Sequence, residues 1–363
     1  MSGDVPCANG SAEDGGNQEL ARLLGLSRAF AASKALNLSA KLDVYGLLAN
    51  HPNGLTWVEV AAALGLQQGH GFRGVVDFLD LLVSLQTLKR TGGRYSNHPT
   101  AARFLVAGSD DFCGGLLVLN NDRSYLSLEH LEAALRTGSA PVDPRIPPIH
   151  EVFGSSASEG SGGVAEHFSS GMMGASVGNF RRLAASFDFS RFTSLGDIGG
   201  SNGCLCATVC AAHAHMRAVT YDLPPVHATA AAYVRARGVE ARVQVADHDF
   251  CSDAPFPLGH DMIAMGMVLH DWGLARKEEL IRKAYAALPP GGCFMVIENL
   301  VDDERRTSPA QLAMSLTMLV EFSTENAYDF SFAEFCGMAE VAGFRRCELL
   351  PLVGTTSAAA AYK

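Results

Sequence analysis

The stretch Ser194-Leu-Gly-Asp-Ile-Gly-Gly-Ser-Asn-Gly203, followed by Tyr221-Asp-Leu-Pro-Pro-Val226, constrains this chain more than any other. An apolar run predicts a strand, the glycines a tight turn, the next residues a helix, and a second short strand ends in a carboxylate. That order is the first βαβ unit of an α/β, doubly wound sheet, which binds nucleoside cofactors at the carboxyl ends of its strands. Gly199 and Gly203 carry no Cβ, so the turn is tight and a ligand approaches the backbone closely. Asp222 lies 23 positions after Gly199, where an acidic side chain accepts from both ribose hydroxyls. The plain alternative is a tight turn with no ligand.

A dinucleotide site normally shows G-x-G-x-x-G and lays a pyrophosphate on a helix N-terminus. Here Ser201 takes the second glycine position and Cys204 the third. Asp197, just before the turn, repels a pyrophosphate and suits a cationic ligand, such as the ammonium or sulfonium of S-adenosyl-L-methionine.

Further along, His260-Asp-Met-Ile-Ala-Met-Gly-Met-Val-Leu-His-Asp-Trp272 predicts a buried strand ending in a His-Asp pair. An amphipathic helix follows over Arg276 to Leu288, with i,i+4 pairs Glu278/Arg282 and Glu279/Lys283. Pro289-Pro-Gly-Gly292 breaks it, and a buried strand runs from Cys293 to Glu298 and Leu300. Taken together, these motifs resemble the S-adenosylmethionine-dependent methyltransferases of the caffeate/acetylserotonin O-methyltransferase type, in family order and near-family spacing from about residue 17 onward. The resemblance implies a seven-stranded Rossmann-like methyltransferase sheet with an antiparallel end, preceded by a winged-helix dimerisation domain.

The expected organisation is a disordered tail over 1–16, an all-helical winged-helix domain over 17–108, linking helices and a Pro/Gly/Ser-rich connection over 109–185, and the cofactor domain over 186–363. The tail is polar and glycine-rich, with neither the basic nor the apolar features of a leader. Thr56-Trp-Val-Glu59 is a capping box starting a short helix, and Gly92-Gly93 the turn of a hairpin. The segment 155–163 is either a mobile lid or a surface insertion.

A winged helix raises the possibility of a DNA-binding, metabolite-sensing regulator. The would-be recognition region, Thr56 to Leu66, has no Lys or Arg, and the net charge of −10 opposes a phosphate partner. The resemblance instead implies a homodimer whose partner helps close the substrate pocket. No apolar run reaches membrane-spanning length. Nine cysteines without paired C-x-x-C spacing suggest small apolar side chains in a cytoplasmic or other reducing compartment, with no metal site.

The resemblance also assigns residues. Gly199 faces the methionine part of the cofactor and Asp222 the ribose, while Asp249 and Phe250 pack on the adenine, with Asp247 as a register rival. His248 replaces a family glycine, and Gly266 stands where plant members carry a lysine. His270 is the candidate base, at a strand's carboxyl end. Glu298 fits the first carboxylate that holds it, and Asp329 occupies the place of a family glutamate, one methylene shorter. The bland alternative for His270 is a capped strand end with Asp271 satisfying the imidazole. Pocket candidates are Phe168, Met172, Met173, Trp272, Met318 and Phe322.

Methyl transfer is an in-line displacement, so positioning and exclusion of water dominate. A phenol of pKa ~10 giving its proton to a histidine at ~6.5 faces a mismatch of ~5 kcal/mol, which pocket electrostatics must close. The resemblance implies a small-molecule hydroxyl as the acceptor, and the composed pocket suits a flat aromatic. Departures at 318–322 and 328–330 leave open a second acceptor: the thioether of a methylthio acid, as in the methylthiohydroxybutyrate S-methyltransferases of dimethylsulfoniopropionate synthesis. That reaction loses no proton, and the acid's carboxylate needs a cation such as Arg123, Arg181 or Arg182.

Overall fold

The computed structural model describes residues 10–69, 71–109, 111–146, 162–322 and 326–363. It divides into two compact units, up to Asn121 and from Asp122 onward. This division falls later than the expected 108/109, because the helix Gly114–Leu119 packs on the long helix Gly10–Lys41. That long helix starts inside the segment expected to be a disordered tail.

The first unit is not all-helical. Its hairpin of β2 (Leu88–Thr91) and β3 (Arg94–Asn97) turns through Gly92-Gly93, as expected, and gains a third strand, β1 (Leu55–Thr56), along β3. Thr56 thus ends a strand and caps the helix Trp57–Ala63. Its hydroxyl accepts from the Glu59 amide, and the Glu59 carboxylate accepts from the Thr56 amide. Val44, Tyr45, Val60, Leu79, Leu82 and Tyr95 close the core of this unit.

The second unit is built on β4 (Ser194–Ile198), β5 (Arg217–Asp222), β6 (Val243–Asp247), β7 (Met262–Gly266), β8 (Cys293–Glu298), β9 (Arg346–Pro351) and β10 (Ser357–Tyr362). Their spatial order is β6-β5-β4-β7-β8-β10-β9. The strands from β6 to β8 are parallel, whereas β10 runs antiparallel to both β8 and β9. Strands buried on both faces read as continuous apolar runs, and period-2 alternation splits them between two cores. Leu195, Met262, Met295 and Ile297 pack with the helix Cys204–Ala212 on one face. Ile263, Met265, Phe294 and Val296 pack with Leu280, Ile281 and Phe335 on the other.

Strand order reverses between β4 and β7, so the crevice for a ligand lies at their carboxyl ends. Asp197, Asp222, Gly266 and Glu298 all stand at or beside such ends. The helix before β4 spans Gly162–Ser186. The possible lid at 155–163 lies mostly outside the described residues.

Candidate active site

The turn after β4 has the geometry its glycines require. Gly199 adopts φ +73°, and a Cβ there would lie 2.8 Å from Val268 Cγ2 and 3.3 Å from Phe250 Cε1. Gly203 begins the following helix at φ +75°. A side chain at Gly200 would strike Thr220 Oγ1 and Asp197 Oδ2, because Asp197 tucks beneath the turn. Burial, reinforced by the charge of Asp222, pushes the Asp197 carboxyl up to about 7.

Asp222 is fixed by two amides. Its Oδ2 accepts from Ser201 N at 2.8 Å, and its Oδ1 from Leu223 N at 2.8 Å. A shallow cleft lies beside it, lined by Ser201, Thr220, Leu223, His227 and Asp247 among others. The register rival Asp247 thus lies at this cleft, with its Oδ1 2.7 Å from His227 Nδ1. Asp249 is exposed, and its Oδ1 accepts from Cys251 N. Phe250 faces Gly199 and meets Trp272 edge-on, with ring centroids 6.5 Å apart. His248, in the family glycine position, donates its backbone amide to Asp222 O and packs its ring on Tyr221 and Phe256.

Across the switch point, a short helical turn over Leu269–Asp271 carries His270, which is only 3% exposed. Its Nδ1 lies 3.1 Å from Asp329 Oδ1 and 3.9 Å from Glu298 Oε2, and its Nε2 lies 3.3 Å from Asp271 Oδ1. Both expected carboxylates are therefore present, and Asp271 is a third neighbour on the opposite nitrogen. Glu298 Oε1 accepts from the Val268 and Leu269 amides, which seats the turn on the end of β8. Asp329 is held by its own amide, which donates to Ser315 Oγ at 3.1 Å. Burial opposes charge on the imidazole, but Glu298, Asp271 and Asp329 outweigh it and raise His270 to about 10. Burial pushes Asp271 up to about 7.

The pocket candidates separate. The helix Pro309–Glu321, bearing the buried Met318 and capped by Phe322, packs against the His270 turn. Trp272 Nε1 is buried with no hydrogen-bond partner among the described residues. Met172 is half-buried, while Met173 packs into the sheet core, the ordinary fate of a helical methionine. The Phe168 side chain lies outside the described residues. At Gly266 a Cβ would sit 3.6 Å from the Phe180 ring, so that side chain covers the position. Arg123, one cation considered for an acidic acceptor, is buried against Glu321, Nε to Oε2 2.7 Å.

Sequence reasoning missed Lys277, which is fully buried beside this cluster. The signal was available: it falls three and four positions before Leu280 and Ile281, on the buried stripe of its helix. It also missed the left-handed backbone of Ser201 (φ 48°) and Met267 (φ 55°) at the two strand ends. Such conformations cluster at ligand sites.

The sequence model of the O-methyltransferase domain matches residues 128–345, and that of the O-methyltransferase dimerisation domain matches residues 24–107. The chain belongs to the O-methyltransferase family. This methyltransferase is 32% identical to the tetracenomycin polyketide synthesis 8-O-methyl transferase TcmO of Streptomyces glaucescens, over 89% of its own chain and 90% of the relative. It is 31% identical to the N,N-dimethyltransferase OxyT of Streptomyces rimosus, over 89% and 90% of the two chains. Its fold matches the human N-acetylserotonin methyltransferase in complex with S-adenosylmethionine, at a TM-score of 0.83 and 25% identity, covering 99% of each chain. Its cofactor is S-adenosylmethionine, and its residues fit that group: a turn that a Cβ at Gly199 would obstruct, a carboxylate at Asp222 beside a cleft, and the buried acid Asp197. No helix among the described residues is long and apolar enough to cross a membrane.

Proposed function

We propose that this methyltransferase methylates a hydroxyl of a flat, aromatic small molecule, with His270 receiving the hydroxyl proton. The observation that carries the reading is the buried imidazole held at Nδ1 by Asp329, with Glu298 behind it, at a strand's carboxyl end. When bound, S-adenosylmethionine supplies a methyl group activated by its sulfonium.

Asp222 would hold the ribose and Asp247 the cleft beside it, while Phe250 would cover the adenosine side. Asp197 would place negative charge beneath the sulfonium end. Trp272, Met318 and Phe322 would shape the acceptor pocket and keep water out. Asp329 would fix the imidazole so that Nε2 receives the hydroxyl proton, and Asp271, 3.3 Å from Nε2, would give up that place to the acceptor. The carboxylates bring the imidazole to about 10, level with a phenol at ~10, so the proton transfer itself is matched and most of the cost moves to holding His270 neutral, ~4 kcal/mol at pH 7. Reactivity then depends on the fraction of enzyme with neutral His270.

The thioether reading gains nothing here, because it needs no base, and the carboxylates around His270 are arranged to strengthen one. The buried Arg123–Glu321 pair also argues against Arg123 as the anchor for an acidic acceptor.

The dimerisation domain supports a homodimer. Leu20, Leu23, Leu24, Leu26 and Phe30 of the first helix are all exposed, between 45% and 66%, a patch that a second copy would cover. Transfer of labelled methyl to phenolic acceptors by the wild type, and its loss in H270Q with cofactor binding retained, tests the catalytic reading.

A further inference from the structure

Lys277 lies on the helix Leu274–Ala287 with no exposed surface, and a buried ammonium is costly unless its charge is answered. Its Nζ donates to the carbonyls of Trp272 and Tyr328, the latter at 2.9 Å. The Tyr328 ring lies beneath it, 3.5 Å to the centroid, and the Phe330 ring lies at 5.5 Å. Those two carbonyls belong to the segments that matter. Trp272 follows the turn carrying His270, and Tyr328 immediately precedes Asp329. One ammonium therefore joins the base to the carboxylate that orients it.

The charges around this point are unbalanced without it. Glu298 from the end of β8, Asp271 from the His270 turn, Asp329 from the segment before the helix Phe332–Ala342, and Glu334 from that helix all act on Lys277. The facing cations are His270 itself and Arg305, which donates to Asp329 O and lies 3.6 Å from Glu334. Burial pulls Lys277 down to about 8 against those carboxylates, so it is mostly charged at neutral pH.

We propose that Lys277 is a positioning residue for methyl transfer: its ammonium ties the His270 turn to the Asp329 segment and offsets the carboxylate charge around the imidazole. The proposal rests on His270 acting as the base. Removing the charge leaves the carboxylates to hold the His270 proton more tightly, so a smaller fraction of the enzyme is reactive at a given pH. A lysine that served only packing would alter stability and leave the titration of His270 in place.

The test uses the full chain and reads kcat for a phenolic acceptor against pH. In K277Q, which keeps two donors and drops the charge, kcat falls about tenfold at pH 7, where Lys277 is charged, with the acceptor KM changing less. The deficit closes above about pH 9, where the wild-type lysine has lost its proton as well. In K277R, which keeps the charge, kcat at pH 7 stays within about twofold of wild type. A K277Q that folds and shows no deficit, or the same deficit at every pH, or an equal deficit in K277R, overturns the proposal. If K277Q does not fold, Tyr328→Leu, which removes the ring beneath the ammonium, must lower kcat at pH 7 more than at pH 9, and an even loss overturns it. Full turnover in H270Q would defeat the base reading whatever the Lys277 variants show, whereas loss in H270Q beside a pH-independent K277Q deficit would defeat the role of Lys277 alone.

Discussion

His270 Nδ1 and Asp329 Oδ1 lie 3.1 Å apart in a site where both side chains are almost fully buried, although 59 positions separate them in the chain. A carboxylate at Nδ1 leaves Nε2 as the nitrogen that meets an acceptor. Removing it in D329N is expected to lower kcat by ~10–100-fold while cofactor affinity stays near wild type, and H270Q by ~10²–10⁴-fold. Steady-state kinetics with isothermal titration of the cofactor separates the two effects.

The pH dependence follows from the same pair. With His270 up at about 10, about one molecule in a thousand has it neutral at pH 7. The kcat/KM for a phenol is therefore expected to climb tenfold per pH unit through neutral pH and level off near the His270 midpoint. A flat profile between pH 7 and 9 would remove His270 from the proton-transfer step.

Stability carries the opposite sign. The folded value of His270 lies above the ordinary ~6.5, so its favourable contribution is complete below about pH 6.5 and disappears as the pH climbs through about 10. The Tm difference between wild type and H270Q is expected to narrow across that window, as thermal melts at stepped pH would show.

Asp197 predicts a charge preference in cofactor binding. Its carboxyl is pushed up to about 7 by burial and by Asp222, so it gains its charge as the pH passes through neutrality. S-adenosylmethionine, a cation, is expected to bind more tightly between pH 6 and 8. S-adenosylhomocysteine, which keeps the ammonium but lacks the sulfonium charge, should change less, and D197N should abolish the difference. Equal pH dependence for the two ligands would place Asp197 outside the sulfonium's reach.

Gly199→Val tests the turn. The backbone at φ +73° costs a β-branched residue ~1–2 kcal/mol, and its Cβ would lie 2.8 Å from Val268 Cγ2. Cofactor binding is expected to weaken at least tenfold, with the Tm lowered by a few degrees. Wild-type affinity in this variant would show that the turn does not touch the ligand.

Much of this site is legible in the sequence because strand-end chemistry is local. Gly199, Asp222, His270 and Glu298 each close an apolar run, and the sheet brings those ends together. Asp329 follows no strand of its own, so only the resemblance points to it. Composition misleads at Gly10, where a polar, glycine-rich start reads as unstructured although a helix begins there. The strand Leu55–Thr56 is too short for any period to show, and Thr56 reads only as a cap. Asp247 and Asp249 are both acidic and two positions apart, and only the pairing of β5 with β6, Asp222 against Asp247, puts the first at the cleft. Lys277 hides in a helix rich in other charges, among which Glu279 pairs with Arg276 and Lys283.

The most direct measurement is transfer of methyl-labelled S-adenosylmethionine by wild type and H270Q, offered catechol-like phenols and methylthio acids side by side, with product mass as the readout. The expected result is label on a phenolic oxygen with the wild type, falling at least ~10²-fold in H270Q while the cofactor binds both proteins equally. Label on the thioether acid, or undiminished phenol methylation by H270Q, would contradict the account of His270 as the base of a hydroxyl methyltransferase.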